Sequence, residues 1–326
     1  ISRLVVSIVT ASLLIALFAV PTAARNDMAV GVSRSDSNGG RDLSKLSDFT
    51  ASMDGNAPAT WSIWSQWGSR GGKYKCYRDA PALGTCRFPT ATVNALPAGV
   101  IPVIWWEPWD QARPHKGLYP RYRNILSGKH NTYIRKWAQA AAAYGDRVVL
   151  RFAHEANGDF FPWGIRRFDN TATRFKRAWR KVHGMFQAQG ATKVEFLWSV
   201  TSLRCPGGCN PFKGVFPGRR YVDWAGLTGF NWGARKQWRS MRQVLEKPLR
   251  QLRAVTRKKV IISELASHFR GGDKATWIRK GYRHAYKTYP WVKAMIYLDS
   301  DQRPSGHVDW RLIRPSSGAA PVSYTH

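Results

Sequence analysis

Two glutamates stand where short apolar runs end, in parts of the chain far apart in sequence. Glu155 follows VVLRFAH, and Glu264 follows VIIS. Carboxyl groups brought to either side of a glycosidic bond can cleave it: one protonates the leaving oxygen, and the other attacks the anomeric carbon or activates water. Glutamate is scarce here. Only five occur, at 107, 155, 195, 246 and 264, and three of the five sit at or follow run ends. The bland alternative is that Glu155 and Glu264 neutralise a buried arginine such as Arg151. Other chemistries fit less well. His154-Glu155 opens like H-E-x-x-H, but Gly158 stands where the second His belongs, so a zinc protease is excluded. No G-x-S-x-G elbow occurs, and GSRGGK (68–73) lacks both the spacing and the Ser/Thr of a phosphate loop. Asp299 and Asp301 do not continue as a calcium loop and read as turn or surface residues.

The elements that must position these acids recur along the chain. Eight apolar runs appear, at 29–32, 61–64, 100–106, 148–152, 194–200, 224–232, 260–262 and 292–298. Helical patterns separate them. Asn131 is expected to cap a helix with the apolar face Ile134, Trp137, Ala138, Ala141 and Tyr144, stopped by Gly145. Asn170 or Thr171 opens another, with Phe175, Trp179, Val182 and Phe186 inward, stopped by Gly190. Wholly apolar strands alternating with helices imply a parallel sheet covered by helices. Eight such units in a chain of this length fit a single-domain α/β fold, a (β/α)8 TIM barrel, better than an open doubly wound sheet. Reactive groups then belong at the C-terminal ends of the strands, where the fourth and seventh runs place Glu155 and Glu264.

Composition bounds the rest. The chain has 326 residues, 44% hydrophobic and 13% aromatic with 16 Trp, which excludes a disordered chain. Leu4 to Val20 is apolar, preceded by Arg3 and followed by Pro21, Thr22, Ala23 and Ala24, and reads as a signal peptide (1–24) ahead of a catalytic domain at 25–326. The absent initiating Met suggests that the start of the sequence is missing. A membrane anchor is the alternative reading of the run. Export implies a secreted, extracellular protein whose four cysteines form disulfides. Pairing Cys76 with Cys86 and Cys205 with Cys209 is the simplest of three connectivities. A four-thiolate zinc site is disfavoured by the spacing.

With these residues in hand, the chain resembles glycoside hydrolase family 26, of the clan of barrels with catalytic carboxylates on strands four and seven. RFAHEANGDFFPWG (151–164) resembles its acid/base segment; WEPWD (106–110), YVDWAGLTGFNWG (221–233), IISELAS (261–267) and GGDKATWI (271–278) resemble further segments in order. The resemblance implies retaining hydrolysis of a plant-type β-polysaccharide without metal or organic cofactor, with Glu155 as general acid/base and Glu264 as nucleophile. Endo-β-1,4-mannanase is the first reading; β-1,3-1,4-glucanase, β-1,3-xylanase and a non-catalytic carbohydrate-binding barrel are the alternatives. By the same resemblance His154 orients the acid/base, and Trp163 lines the cleft. Asn157, Phe160, Trp106, Glu107, Trp109, Phe230, Asn231 and Trp232 complete the substrate-binding set. Phe230 stands where the family usually has a Tyr bonded to the nucleophile, and Phe160 where many mannanases have Trp.

The formal charge is +31, and much of it falls on helices. Adsorption to anionic polymers follows from charge alone. A specific nucleic-acid binder is a competing reading, but no helix-turn-helix, RNA-recognition or zinc-finger pattern is present. A monomer, free of the membrane after signal cleavage and acting on a polysaccharide, is the expectation.

Overall fold

A computed structural model of the chain describes residues 28–34, 39–68, 86–109, 121–202, 211–303 and 308–312. Fifteen principal elements alternate along these segments. They are β1 (Ala29–Ser33), α1 (Ser44–Ala51), β2 (Thr60–Gln66), α2 (Thr90–Asn94), β3 (Ile101–Glu107), α3 (Tyr122–Leu126), α4 (Asn131–Tyr144), β4 (Val148–Phe152), α5 (Ala172–Ala188), β5 (Val194–Thr201), β6 (Trp224–Asn231), α6 (Met241–Val255), β7 (Lys259–Ser267), α7 (Lys274–Thr288) and β8 (Val292–Leu298). The strands are parallel and close in sequence order, β1 pairing with β8, so the single domain is a (β/α)8 barrel. All eight apolar runs are strands.

Strand alternation sorts the aromatic residues into two layers. On β3, Val103 and Trp105 belong to a small inner core with Val149, Leu197, Ile261, Ala294 and Ile296. Ile104 and Trp106 face the other way, into the layer between sheet and helices. Trp106 is fully buried there, against Tyr133 and Trp137 of α4 and Phe186 of α5. Its indole N–H donates to the Tyr133 hydroxyl at 3.2 Å.

Helix ends follow from local chemistry. The α5 cap is Thr171, whose hydroxyl accepts the Arg174 N–H, and Gly190 takes a left-handed φ of +74° beyond the last turn. Asn131 is the first residue of α4 rather than its cap; His130 holds the cap position, with no side-chain bond to the helix. Gly145 ends α4 in the left-handed region at φ +68°.

Two further expectations change. β7 does not stop before Glu264 but continues to Ser267, so Glu264 lies within the strand. Asp299 is buried, not a surface turn. Its carboxylate accepts the Leu312 N–H at 2.7 Å and pairs with Arg34 at 3.4 Å, tying the segment after β8 to the end of β1. Cys86 is disulfide-bonded; Cys76, Cys205 and Cys209, like the apolar run at 4–20, lie outside the described residues.

The layering makes a stability prediction. Trp106→Ala should cost about 3–5 kcal/mol in urea unfolding, whereas Phe160→Ala, whose ring is 40% exposed, should cost less than about 1 kcal/mol. Equal costs would contradict this division of the aromatics.

Candidate active site

Glu155 reaches the barrel axis through an irregular turn. β4 ends at Phe152; the Ala153 N–H then bonds to the Trp106 carbonyl at 3.1 Å, and the Glu155 N–H to the Ser199 carbonyl at 2.9 Å. The chain thus crosses from the β3 side to the β5 side within three residues. Ala153 (φ +44°) and Glu155 (φ +53°) both take left-handed conformations, at a cost of about 1–3 kcal/mol each. Asn157 locks the turn. Its amide donates to the Thr201 carbonyl and accepts from the Thr201 N–H, both at 2.9 Å.

Glu264 arrives by a different device. Along β7, Ile261 and Ser263 face inward, and Ser263 Oγ meets Ser199 Oγ at 2.8 Å. Strict alternation would then send Glu264 outward. Register shifts against both neighbours, after Leu227 on β6 and between Ile262 and Leu265 towards β8, mark a bulge here. The bulge re-aims Glu264 inward while Leu265 packs on the helix side. Thr228 unites the two acids: it lies opposite Glu264 in the β6–β7 ladder, and its hydroxyl donates to Glu155 Oε1.

Arg151, next but one to the inward-facing Val149 on β4, organises the charge. Its guanidinium is fully buried, lies 4.1 Å from the Trp105 ring centroid and donates from Nη1 to Glu264 Oε2 at 3.1 Å. Trp64 stacks on Trp105 at 4.8 Å and completes this floor. Glu107 closes the group at the end of β3, accepting the Trp109 indole N–H at 2.8 Å. Burial raises its pKa to about 7, against the lowering effects of Trp109, Gln66 and Arg151. His154 Nε2 is 3.9 Å from Glu107 Oε1, and burial with Arg151 nearby holds the imidazole neutral, well below its usual range.

Burial raises Glu155 and Glu264 as well, and each carboxylate is pulled back down by Arg151. Charge on Glu155 and Glu107 raises Glu264 further. The two therefore titrate as a pair sharing a proton. The charged hydrogen bond from Arg151 goes to Glu264, whereas the hydroxyls of Thr228 and Thr201 at Glu155 are neutral donors. Two buried carboxyl groups that share a proton at the same barrel mouth can act as nucleophile and acid.

The structure gathers some of the residues expected from sequence and disperses others. Glu107, Trp109, His154, Glu155, Trp163 and Glu264 converge. Trp163 lies beneath Phe161, stacked at 4.5 Å, and donates to the His154 carbonyl at 2.6 Å. Phe160 projects from the same loop. Phe230 and Trp232 sit half-buried against Trp310, at 5.2 Å each. Asn231 is wholly buried, bonded to Ser267 Oγ and to the Arg239 N–H, while Trp106 points away into the helix layer. Trp105 and Thr228 were not among the expected site residues, and Arg151 was named only as a buried arginine that the two acids neutralise, a pairing present at Glu264. Arg151 carried a signal: a lone charge in the apolar run VVLRF, two positions after Val149. Among the described residues no group of three His, Cys, Asp or Glu is arranged to hold a metal ion.

Residues 123–269 match the Glycosyl hydrolase family 26 model. Endoglucanase H of Acetivibrio thermocellus is 34% identical over 220 residues, 66% of this chain and 23% of that protein. The β-1,3-xylanase of an Alcaligenes species is 25% identical over 108 residues, 33% of this chain and 22% of that protein. The chain therefore spans less than a quarter of the length of either curated relative. In fold it resembles the Bacillus subtilis mannanase BCman, with a TM-score of 0.59 and 16% identity over 88% of this chain and 84% of that one. Residues 123–269, which hold both acids, thus belong to glycoside hydrolase family 26.

Glu107 provides a pH test of this electrostatic arrangement. A carboxyl neutral in the fold up to about pH 7 but ionised in the unfolded chain above about pH 4.5 stabilises fully below 4.5 and loses that contribution as pH rises to 7. Between pH 4.5 and 8, Glu107→Gln should gain on the order of 3 kcal/mol relative to the parent in urea unfolding. Parallel stability curves would show that Glu107 is ionised in the fold.

Proposed function

We propose that the protein is a secreted, retaining, endo-acting β-glycanase in which Glu264 is the nucleophile and Glu155 the acid/base. The observation that supports this reading is the asymmetric environment of two neighbouring buried carboxyls: Arg151 on Glu264, neutral hydroxyls on Glu155. Glu264 attacks the anomeric carbon while Glu155 gives its proton to the leaving oxygen. Water then cleaves the glycosyl ester, with Glu155 taking the proton back. His154, kept neutral and unpartnered at Nδ1, offers a sugar hydroxyl a hydrogen-bond site, and filling it relieves an unmet polar atom worth about 1–3 kcal/mol.

For the backbone sugar, a glucan comes first. The 34% identity to a protein named endoglucanase runs over two-thirds of this chain, whereas likeness to mannanases is one of fold. A β-1,4-mannan is the second reading, favoured by that fold likeness, and a β-1,3-xylan the third, favoured by the xylanase match.

Reducing ends released from mixed-linkage glucan, galactomannan and β-1,3-xylan test the reaction. Glu264→Ala and Glu155→Ala should each lower kcat/KM by 100-fold or more with the fold retained. Unchanged rates in both variants, or no release from any polysaccharide, would remove the hydrolase reading. Arg151 acts through Glu264 as a positioning residue. Arg151→Met withdraws the cation that lowers the Glu264 pKa, so the acid limb of the kcat/KM profile should move to higher pH while the alkaline limb moves less. A uniform drop without a shift would reduce Arg151 to a structural part.

A further inference from the structure

The loop from β4 to α5, which presents Glu155, also carries a feature that the two-carboxylate reaction does not use. At its far end Phe168 is 48% exposed, and its backbone is left-handed at φ +55°, as Arg166 is at +81°. The projecting turn is anchored beside the acid/base. The Ile165 N–H donates to the Ala156 carbonyl at 2.8 Å, and the Asn170 amide donates to the carbonyls of Pro162 and Gly164.

Cations surround this ring. The Arg121 guanidinium lies 4.8 Å from its centroid and that of Arg167 5.9 Å. Asp169, the next residue, takes ion pairs from Arg121 and Arg123 at 3.5 Å and from Arg174 at 3.1 Å. Three arginines thus meet one carboxylate, and a fourth, Arg167, stands by the ring. The net positive charge beside the ring attracts an anion, and a guanidinium fork matches a carboxylate in shape and charge. Phenyl rings suit the C–H face of a sugar. A strained backbone that holds a ring out of the core, beside forks that fit a carboxylate, is a matched pair for one ligand: a sugar bearing both features.

We propose that Phe168, Arg121 and Arg167 form a rim subsite for a carboxylate-bearing sugar of an acidic polysaccharide. The proposal rests on the reading of the barrel mouth as a glycan cleft and names the substrate class it takes. A polynucleotide is the other polyanion that +31 attracts. It would draw on basic side chains all over the surface, including Arg279 and Arg283 of α7, rather than on this ring.

Calorimetric titration with β-1,4-linked hexaglucuronate and with cellohexaose, in a Glu155→Gln background to prevent turnover, tests it. Arg121→Gln/Arg167→Gln and Phe168→Ala should each weaken hexaglucuronate binding about ten-fold. The arginine pair should leave cellohexaose within two-fold, Phe168→Tyr should restore binding, and Arg279→Gln/Arg283→Gln should change neither ligand. Melting temperatures of all variants separate lost binding from lost fold. The proposal is overturned if rim variants with parental melting temperatures bind hexaglucuronate like the parent, or if the α7 variant weakens it equally. It is also overturned if an oligonucleotide of equal charge binds through the same rim residues with the same losses. Rim-dependent hexaglucuronate binding without any cellohexaose binding would sustain the subsite and defeat the glucan reading of the mouth.

Discussion

One buried guanidinium set among three buried carboxyl groups is the interaction on which the site depends. Arg151 is shielded from water on every side, and Glu107, Glu155 and Glu264 all lie within its electrostatic reach. A single cation cannot hold three anions ionised in a poorly solvated space. Burial raises all three acids, and Glu264 is the one that accepts a hydrogen bond from the guanidinium.

The barrel supplies that geometry through two departures from regular structure. Strict strand alternation leaves a single inward row on each strand, which Arg151, Trp105 and Ser263 occupy. The acids enter by exception: Glu264 through the bulge in β7, Glu155 through a left-handed turn after β4. Asn157 offsets part of the strain by closing two hydrogen bonds onto β5. Rigid strands thus carry the cation, and distorted segments carry the acids that it orders.

Much of the fold was legible because a parallel barrel writes itself as apolar runs; even Val148–Phe152 and Val292–Leu298 coincide with β4 and β8 end to end. The acids were legible for the same reason, since a charge at the close of an apolar run has few uses. What the sequence concealed was direction. Trp105 and Trp106 are adjacent and alike, yet one floors the site and the other packs on α4, because only the closed sheet decides which face is inside. The bulge at Glu264 was equally hidden, as nothing in ISEL differs from an unbroken strand. By resemblance Asn231 read as a cleft residue, but a buried amide can spend all its hydrogen bonds on backbone and Ser267.

The assignment of roles to the two acids is tested most directly by trapping. Incubation with an activated 2-deoxy-2-fluoro-β-glycoside, followed by peptide mapping in the mass spectrometer, should find one sugar esterified to the peptide that contains Glu264. A label on Glu155 or Glu107 instead, or turnover that releases product of inverted configuration with no adduct, would contradict the account.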